Sequence, residues 1–103
     1  MILHLATFSW RPDVTNDDVV AVIEALSSLP GQIPELLSYR FGPDLGLREG
    51  NASFAVAAVL QGPEELPAYL DHPEHARIVE EFIAPLTAAR QAVQIEIPAE
   101  TEL

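Results

Sequence analysis

The residues best suited to chemistry lie in one short stretch, residues 69–75 (YLDHPEH), which holds two of the three histidines of the chain. An imidazole with a pKa near neutrality can take a proton from a carbon next to a carbonyl. A phenol can donate a hydrogen bond to the oxygen on which negative charge then develops. His75 and Tyr69 are therefore the candidate catalytic acid–base pair, and this chemistry needs no cofactor. In the structural alternative, the Tyr69 hydroxyl is solvated and His75 only makes a local hydrogen bond.

A proline in the middle of this stretch predicts the element that carries His75. Pro73 is tolerated best in the first turn of a helix, where its missing N–H costs nothing. The helix is then expected to have Asp71 or His72 at its cap, with His75 about one turn in. Its apolar face is predicted from the spacing of Ile78, Val79, Phe82, Ile83 and Leu86.

The same stretch invites a metal interpretation, with His72, His75, Asp71 and Glu74 as ligands. Their spacing is not the i, i+4 histidine pair of helical metal sites, and the chain has no cysteine. A histidine before a proline is more simply a helix cap. We therefore predict no metal site here.

The elements that must position these groups alternate in the order β-α-β-β-α-β. Strands are predicted over residues 2–10, 36–42 and 52–60 and around Val93 to Ile97, and a short helix over residues 64–70. A capping sequence at Thr15 and Asp18 precedes the first helix, which ends at Pro30. This order predicts an α+β, ferredoxin-like fold, an antiparallel sheet with helices on one face.

Both faces of the first strand are apolar, which has two consequences. Ile2, His4, Ala6, Phe8 and Trp10 share the face expected to meet the helices. His4 could there orient His75, contact a ligand, or be a core histidine bonded to a backbone carbonyl. Leu3 and Leu5 point to the opposite face, which the helices cannot cover, so a closed homodimer is predicted.

Composition and charge restrict the partners. The 103 residues carry a net charge of −11 with only five Lys and Arg, which argues against nucleic acid and against an anionic membrane. No apolar run approaches the roughly 20 residues of a membrane span. No signal peptide is recognisable, so the expected location is cytoplasmic. The length predicts one domain.

Four segments together resemble the stress-responsive dimeric α+β barrel (Dabb) family: residues 1–4 (MILH), 31–34 (GQIP), 69–75 (YLDHPEH) and 82–86 (FIAPL). The resemblance spans residues 1–97 as a single domain, followed by an acidic tail at residues 98–103. It implies a ferredoxin-like protomer whose sheet closes a barrel with that of a second copy.

The resemblance also implies a function. One plant member is a polyketide cyclase that closes an aromatic ring by aldol condensation. Its catalytic tyrosine and histidine correspond by motif to Tyr69 and His75, and its strand-one histidine to His4. Two further pocket positions differ, because a tyrosine and a tryptophan of the cyclase are replaced by Leu26 and Leu86, so a reshaped pocket is expected.

Three functions remain open at this point. The first is binding, with aldol-type cyclisation, of a small apolar carbonyl-rich molecule. The second is a non-catalytic stress-associated dimer, and the third a cofactor-free monooxygenase of a related barrel family, although Trp10 is expected only to pack. Besides the catalytic pair, the predicted substrate-binding residues are His4, Phe8, Ile23, Leu26, Val56, His72, Phe82 and Leu86.

Overall fold

The sheet has four antiparallel strands, in a computed structural model that describes residues 1–99. They are β1 (Ile2–Trp10), β2 (Ser38–Pro43), β3 (Phe54–Leu60) and β4 (Thr87–Glu96), in the spatial order β2-β3-β1-β4. This is the predicted ferredoxin-like α+β arrangement. Of the predicted acidic tail, residues 100–103 lie outside the described residues.

Alternation along β1 confirms the predicted faces. Its buried residues, Ile2, His4, Ala6 and Phe8, meet the helices, and the residues between them are only half-buried. Pairing with β4 sets Leu3 beside Ile95 and Leu5 beside Val93 on the other face. Val93 and Ile95 remain 50% and 49% exposed, so this face is apolar and the helices in the described part of the chain do not cover it.

The first helix, α1 (Asn16–Ser27), begins as its capping sequence predicts. The Thr15 hydroxyl accepts a hydrogen bond from the Asp18 N–H at 3.2 Å, and the Asp18 carboxylate accepts one from the Thr15 N–H at 2.9 Å. Such a cap typically stabilises a protein by about 1 kcal/mol. The buried side chains of Val22 and Leu26 then hold the helix against the sheet.

The second helical region is irregular. A 3₁₀ turn (Pro63–Glu65) leads into α2 (Leu66–Leu70), and α3 (Pro73–Ile78) continues into a π-helical turn (Val79–Ile83) and a 3₁₀ turn (Ala84–Leu86). The Ala84 N–H donates to the Val79 carbonyl, five residues back. Pro85 has no N–H and cannot extend an α-helical ladder, which explains why the region closes with a 3₁₀ turn.

Strand boundaries differ from the predicted ones, most of all in β4. This strand begins at Thr87 rather than near Val93, because it pairs along nearly the whole of β1. Residues 88–92 (AARQA) are exposed and show little apolar alternation, so they carry no strand signal. β3 begins two residues later than predicted, and β2 is shifted by one to two residues. Within residues 1–99, the helices are all too short or too polar to cross a membrane.

Candidate functional site

A cavity of about 140 Å³ lies between the sheet and the second helical region. Six of the predicted catalytic and substrate-binding residues line it: His4, Phe8, Leu26, Val56, Tyr69 and His75. Six further residues complete its lining: Ala6, Tyr39, Leu70, Val79, Ile83 and Arg90. Most of the wall is therefore apolar, and the polar groups are two histidines, two tyrosines and one arginine.

The orientation of His75 follows from the α2–α3 junction. His72 caps α3, since its Nδ1 accepts a hydrogen bond from the Glu74 N–H at 3.1 Å. The last residue of α2, Leu70, then lies within reach of the next histidine, and its carbonyl oxygen is 3.1 Å from His75 Nδ1. A carbonyl only accepts hydrogen bonds, so Nδ1 carries the proton and Nε2 of the neutral ring keeps a free lone pair.

Burial keeps His75 in this neutral form. It lowers the pKa of His75 below the usual 6.5, outweighing the opposite effect of the Leu70 hydrogen bond, and the positive charge of Arg90 lowers it further. The ring centroid of Tyr69 is 4.5 Å away. His75 is therefore an unprotonated base at neutral pH, in contact with a phenol.

Two buried tyrosines form a hydroxyl pair. The Tyr39 and Tyr69 oxygens are 2.8 Å apart, and the side chains are 8% and 2% exposed. Burial raises the pKa of Tyr69 to about 12, although the Tyr39 hydrogen bond opposes the rise. The pKa of Tyr39 is also raised by burial. Both phenols thus stay protonated, and since the pair uses one O–H, the other can be donated to a ligand.

His4 is buried at the centre of β1. Its Nδ1 lies 2.8 Å from the Gln94 side-chain nitrogen on β4, which donates to it, so Nε2 carries the proton of the neutral ring. Burial lowers the pKa of His4, and the charges of Arg90 and His75 add to the effect. The bond to Gln94 replaces the backbone carbonyl that one interpretation of the sequence expected. His4 is a neutral hydrogen-bond donor with its ring 6.0 Å from that of Tyr69.

Four of the predicted substrate-binding residues do not line the cavity. His72 is occupied as the α3 cap. Ile23, Phe82 and Leu86 are half-buried and pack against the core. Val79 and Ile83, two other members of the predicted apolar face, line the cavity instead of Phe82 and Leu86.

Sequence reasoning missed two polar residues of the cavity. Tyr39 had a usable signal, because it alternates with Ser38 and Arg40 on the apolar face of β2. Arg90 had none, because it lies in the part of β4 that was not predicted as strand. Trp10 packs beside Phe8 and Phe54, as expected, and does not line the cavity.

In the described part of the chain, no three His, Asp or Glu side chains are placed to hold a metal ion. His72 Nδ1 and His75 Nδ1 both bond to backbone groups.

Comparison with known proteins agrees with this architecture. Residues 2–97 match the stress responsive A/B barrel domain, Dabb. The chain belongs to the Dabb family. A dimeric ferredoxin-like protein of unknown function from Thermobifida fusca is 51% identical, with a TM-score of 0.86 over 93% of this chain and 90% of that one. An uncharacterized Streptomyces coelicolor protein is 32% identical over 77 residues, 73% of this chain and 79% of its own.

More distant solved structures share only the fold. A hydroxynitrile lyase from Passiflora edulis superimposes with a TM-score of 0.80 over 98% of this chain and 96% of its own, at 15% identity. At that identity the likeness says nothing about which residues act.

Proposed function

We propose that this Dabb protein binds a small carbonyl compound in the cavity and catalyses proton transfer at the carbon next to the carbonyl, as in an aldol-type reaction. The observation that carries the proposal is the bond from His75 Nδ1–H to the Leu70 carbonyl. It leaves Nε2 as a base in a cavity whose other polar groups, Tyr39, Tyr69, His4 and Arg90, can donate hydrogen bonds.

The proposed reaction proceeds by proton transfers alone. His75 Nε2 takes a proton from the carbon, and the electron pair of the broken C–H bond forms an enolate. The hydroxyl of Tyr69 donates a hydrogen bond to the enolate oxygen. The enolate carbon attacks a second carbonyl, a C–C bond forms, and the new alkoxide takes the proton back from His75. Atoms and electrons balance without an oxidant.

Cavity size limits the substrate. A void of about 150 Å³ in another protein accommodates benzene, so a cavity of about 140 Å³ has room for roughly one six-membered ring. Phe8, Leu26 and Val56 favour an apolar body. These features support a short or monocyclic carbonyl compound, and an extended polyketide chain would have to leave the cavity. The Passiflora lyase supports the proposal only by showing that the fold can host a lyase.

The proposed working form is a homodimer. Leu3, Leu5, Val93 and Ile95 make an apolar sheet face that the helices within residues 1–99 leave uncovered. The Thermobifida fusca relative is described as dimeric, which supports the same assembly here. Two such faces packed together would close the barrel of the family.

Exchange of α-protons for deuterium tests the catalytic step directly. Cyclohexanone in D₂O, followed by proton NMR, is a probe that fits the cavity. We expect the wild-type protein to accelerate exchange, and His75→Ala and Tyr69→Phe each to reduce the acceleration by about 10². His72→Asn is the matched control, because it changes a histidine three residues away, outside the cavity, and asparagine also caps helices.

Two results would overturn the catalytic proposal. One is cyclohexanone binding at the cavity without any acceleration of exchange, which identifies a non-catalytic binding protein. The other is acceleration that survives in His75→Ala, which assigns the base to another group.

A further inference from the structure

Arg90 is the one arginine among the residues that line the cavity of this acidic chain. The chain has five arginines, no lysine and sixteen acidic residues. Arg77 pairs with Glu74 at 3.0 Å and Glu81 at 2.9 Å. Within residues 1–99, these are the ion pairs formed, and Arg90 takes part in neither. An unpaired guanidinium keeps its full capacity to bind an anion.

The position of Arg90 directs that charge to the cavity. In the β1–β4 register Arg90 is opposite Phe8, so both side chains lie on the helix side of the sheet. The guanidinium carbon is 6.0 Å from the centroid of the Phe8 ring, and both residues line the cavity. The positive charge of Arg90 also lowers the pKa of His4, His75 and Tyr69. This adds to the effect of burial on the two histidines and opposes the effect of burial on Tyr69.

The remaining lining residues carry no second positive charge and no negative charge. The histidines are neutral, the tyrosines are protonated, and the other side chains are apolar. Arg90 is thus the one permanent cation among the lining residues. Its guanidinium can hold a carboxylate by two parallel charge-assisted hydrogen bonds, which are stronger than its hydrogen bonds to a neutral carbonyl.

We infer that the cavity takes a carbonyl compound that also carries a carboxylate, with the carboxylate bound by Arg90. The apolar body lies against Phe8 and Val56, and the carbonyl oxygen meets the tyrosine pair. The placement of the carbonyl group rests on the proposed function. The carboxylate subsite does not, because it is argued from the contacts of Arg90.

Binding of matched probes tests the inference without turnover. Benzoate and benzamide have nearly the same shape and differ in charge. In NMR titrations that follow Tyr69 and His75, we expect benzoate to bind the wild-type protein about tenfold more tightly than benzamide, as for one charge-assisted contact. Arg90→Gln should remove this preference, so that the two probes bind with equal affinity. Arg77→Gln, which neutralises an arginine on α3 away from the cavity, should leave the preference intact.

The outcomes separate the two proposals. Equal affinity for the two probes, a preference that survives in Arg90→Gln, or benzoate binding that leaves Tyr69 and His75 unperturbed overturns the carboxylate inference. If cyclohexanone exchange is still accelerated in that case, the catalytic proposal stands. If Arg90-dependent benzoate binding is found while exchange is not accelerated, the anion subsite stands and the catalytic proposal fails.

Discussion

The Tyr39–Tyr69 pair shows how burial turns two ordinary side chains into a donor. Each hydroxyl can donate once, and the 2.8 Å contact uses one of the two hydrogens. Burial raises both pKa values, so neither phenol supplies a negative charge that would repel a developing enolate. The hydrogen left over is available to a carbonyl oxygen.

Removing one hydroxyl of the pair should weaken both stability and activity. In Tyr39→Phe, the buried Tyr69 hydroxyl loses its partner, which costs about 1 kcal/mol of unfolding free energy. The exchange rate should fall about tenfold, since Tyr69 is no longer oriented. Urea unfolding and the cyclohexanone assay measure the two effects.

A double-mutant cycle with Tyr69→Phe provides the control for this prediction. If the hydroxyls act as a pair, the double variant should lose less than the sum of the two single losses. Strictly additive losses would mean that the tyrosines act independently.

Some residues of the cavity could be predicted from the sequence and others could not. His4, Tyr69 and His75 were predicted to meet, because a capping proline and strand alternation are local signals, and they line one cavity. The Tyr39 contact depends on the pairing of β2 with β3, which no local pattern specifies. Arg90 lies in a weakly patterned segment that becomes strand through its pairing with β1.

The α2–α3 junction is the element that aims His75. The cap at His72 fixes where α3 begins, and the π-helical turn fixes which face continues toward the cavity. Helical periodicity predicted the location of this region correctly. It could not predict the π-helical turn, because the pattern assumes 3.6 residues per turn and an irregular turn rotates every later side chain.

Loss of the cap should destabilise α3. His72→Ala removes the acceptor of the Glu74 N–H and should lower the unfolding free energy by about 1 kcal/mol. His72→Asn should retain most of the stability, because its side-chain oxygen can accept the same hydrogen bond. Urea unfolding of both variants measures the difference, and equal stability of His72→Ala and the wild-type protein would show that the cap is unimportant.

Assembly is decided by the sheet face that the helices leave uncovered. Its apolar side chains come from β1 and β4, the two strands at one side of the sheet. The sequence predicted this face from the two-sided apolar pattern of β1, and the exposed Val93 and Ile95 extend it. A closed dimer would remove these side chains from water.

A charge on this face should prevent the dimer. Leu5→Asp would bury a carboxylate between two sheets, so we expect a monomer or an unfolded chain. Val20→Asp is the control, since Val20 is an apolar residue on α1, away from this face, and is 50% exposed. Light scattering of the wild-type protein and Val20→Asp should give twice the chain mass. A wild-type monomer at micromolar concentration would contradict the proposed assembly.

The central claim is that the neutral His75 ring accepts the substrate's proton in the cavity. Comparing two pH titrations tests this claim most directly. Burial lowers the pKa of His75 below 6.5, so the base form predominates at neutral pH and is lost as pH falls through that lowered pKa. The α-proton exchange rate and the NMR signal of His75 should therefore titrate together, with a midpoint below 6.5, and this step in the rate should disappear in His75→Ala. A His75 midpoint at or above 6.5, or a rate that follows a different midpoint, would contradict the account.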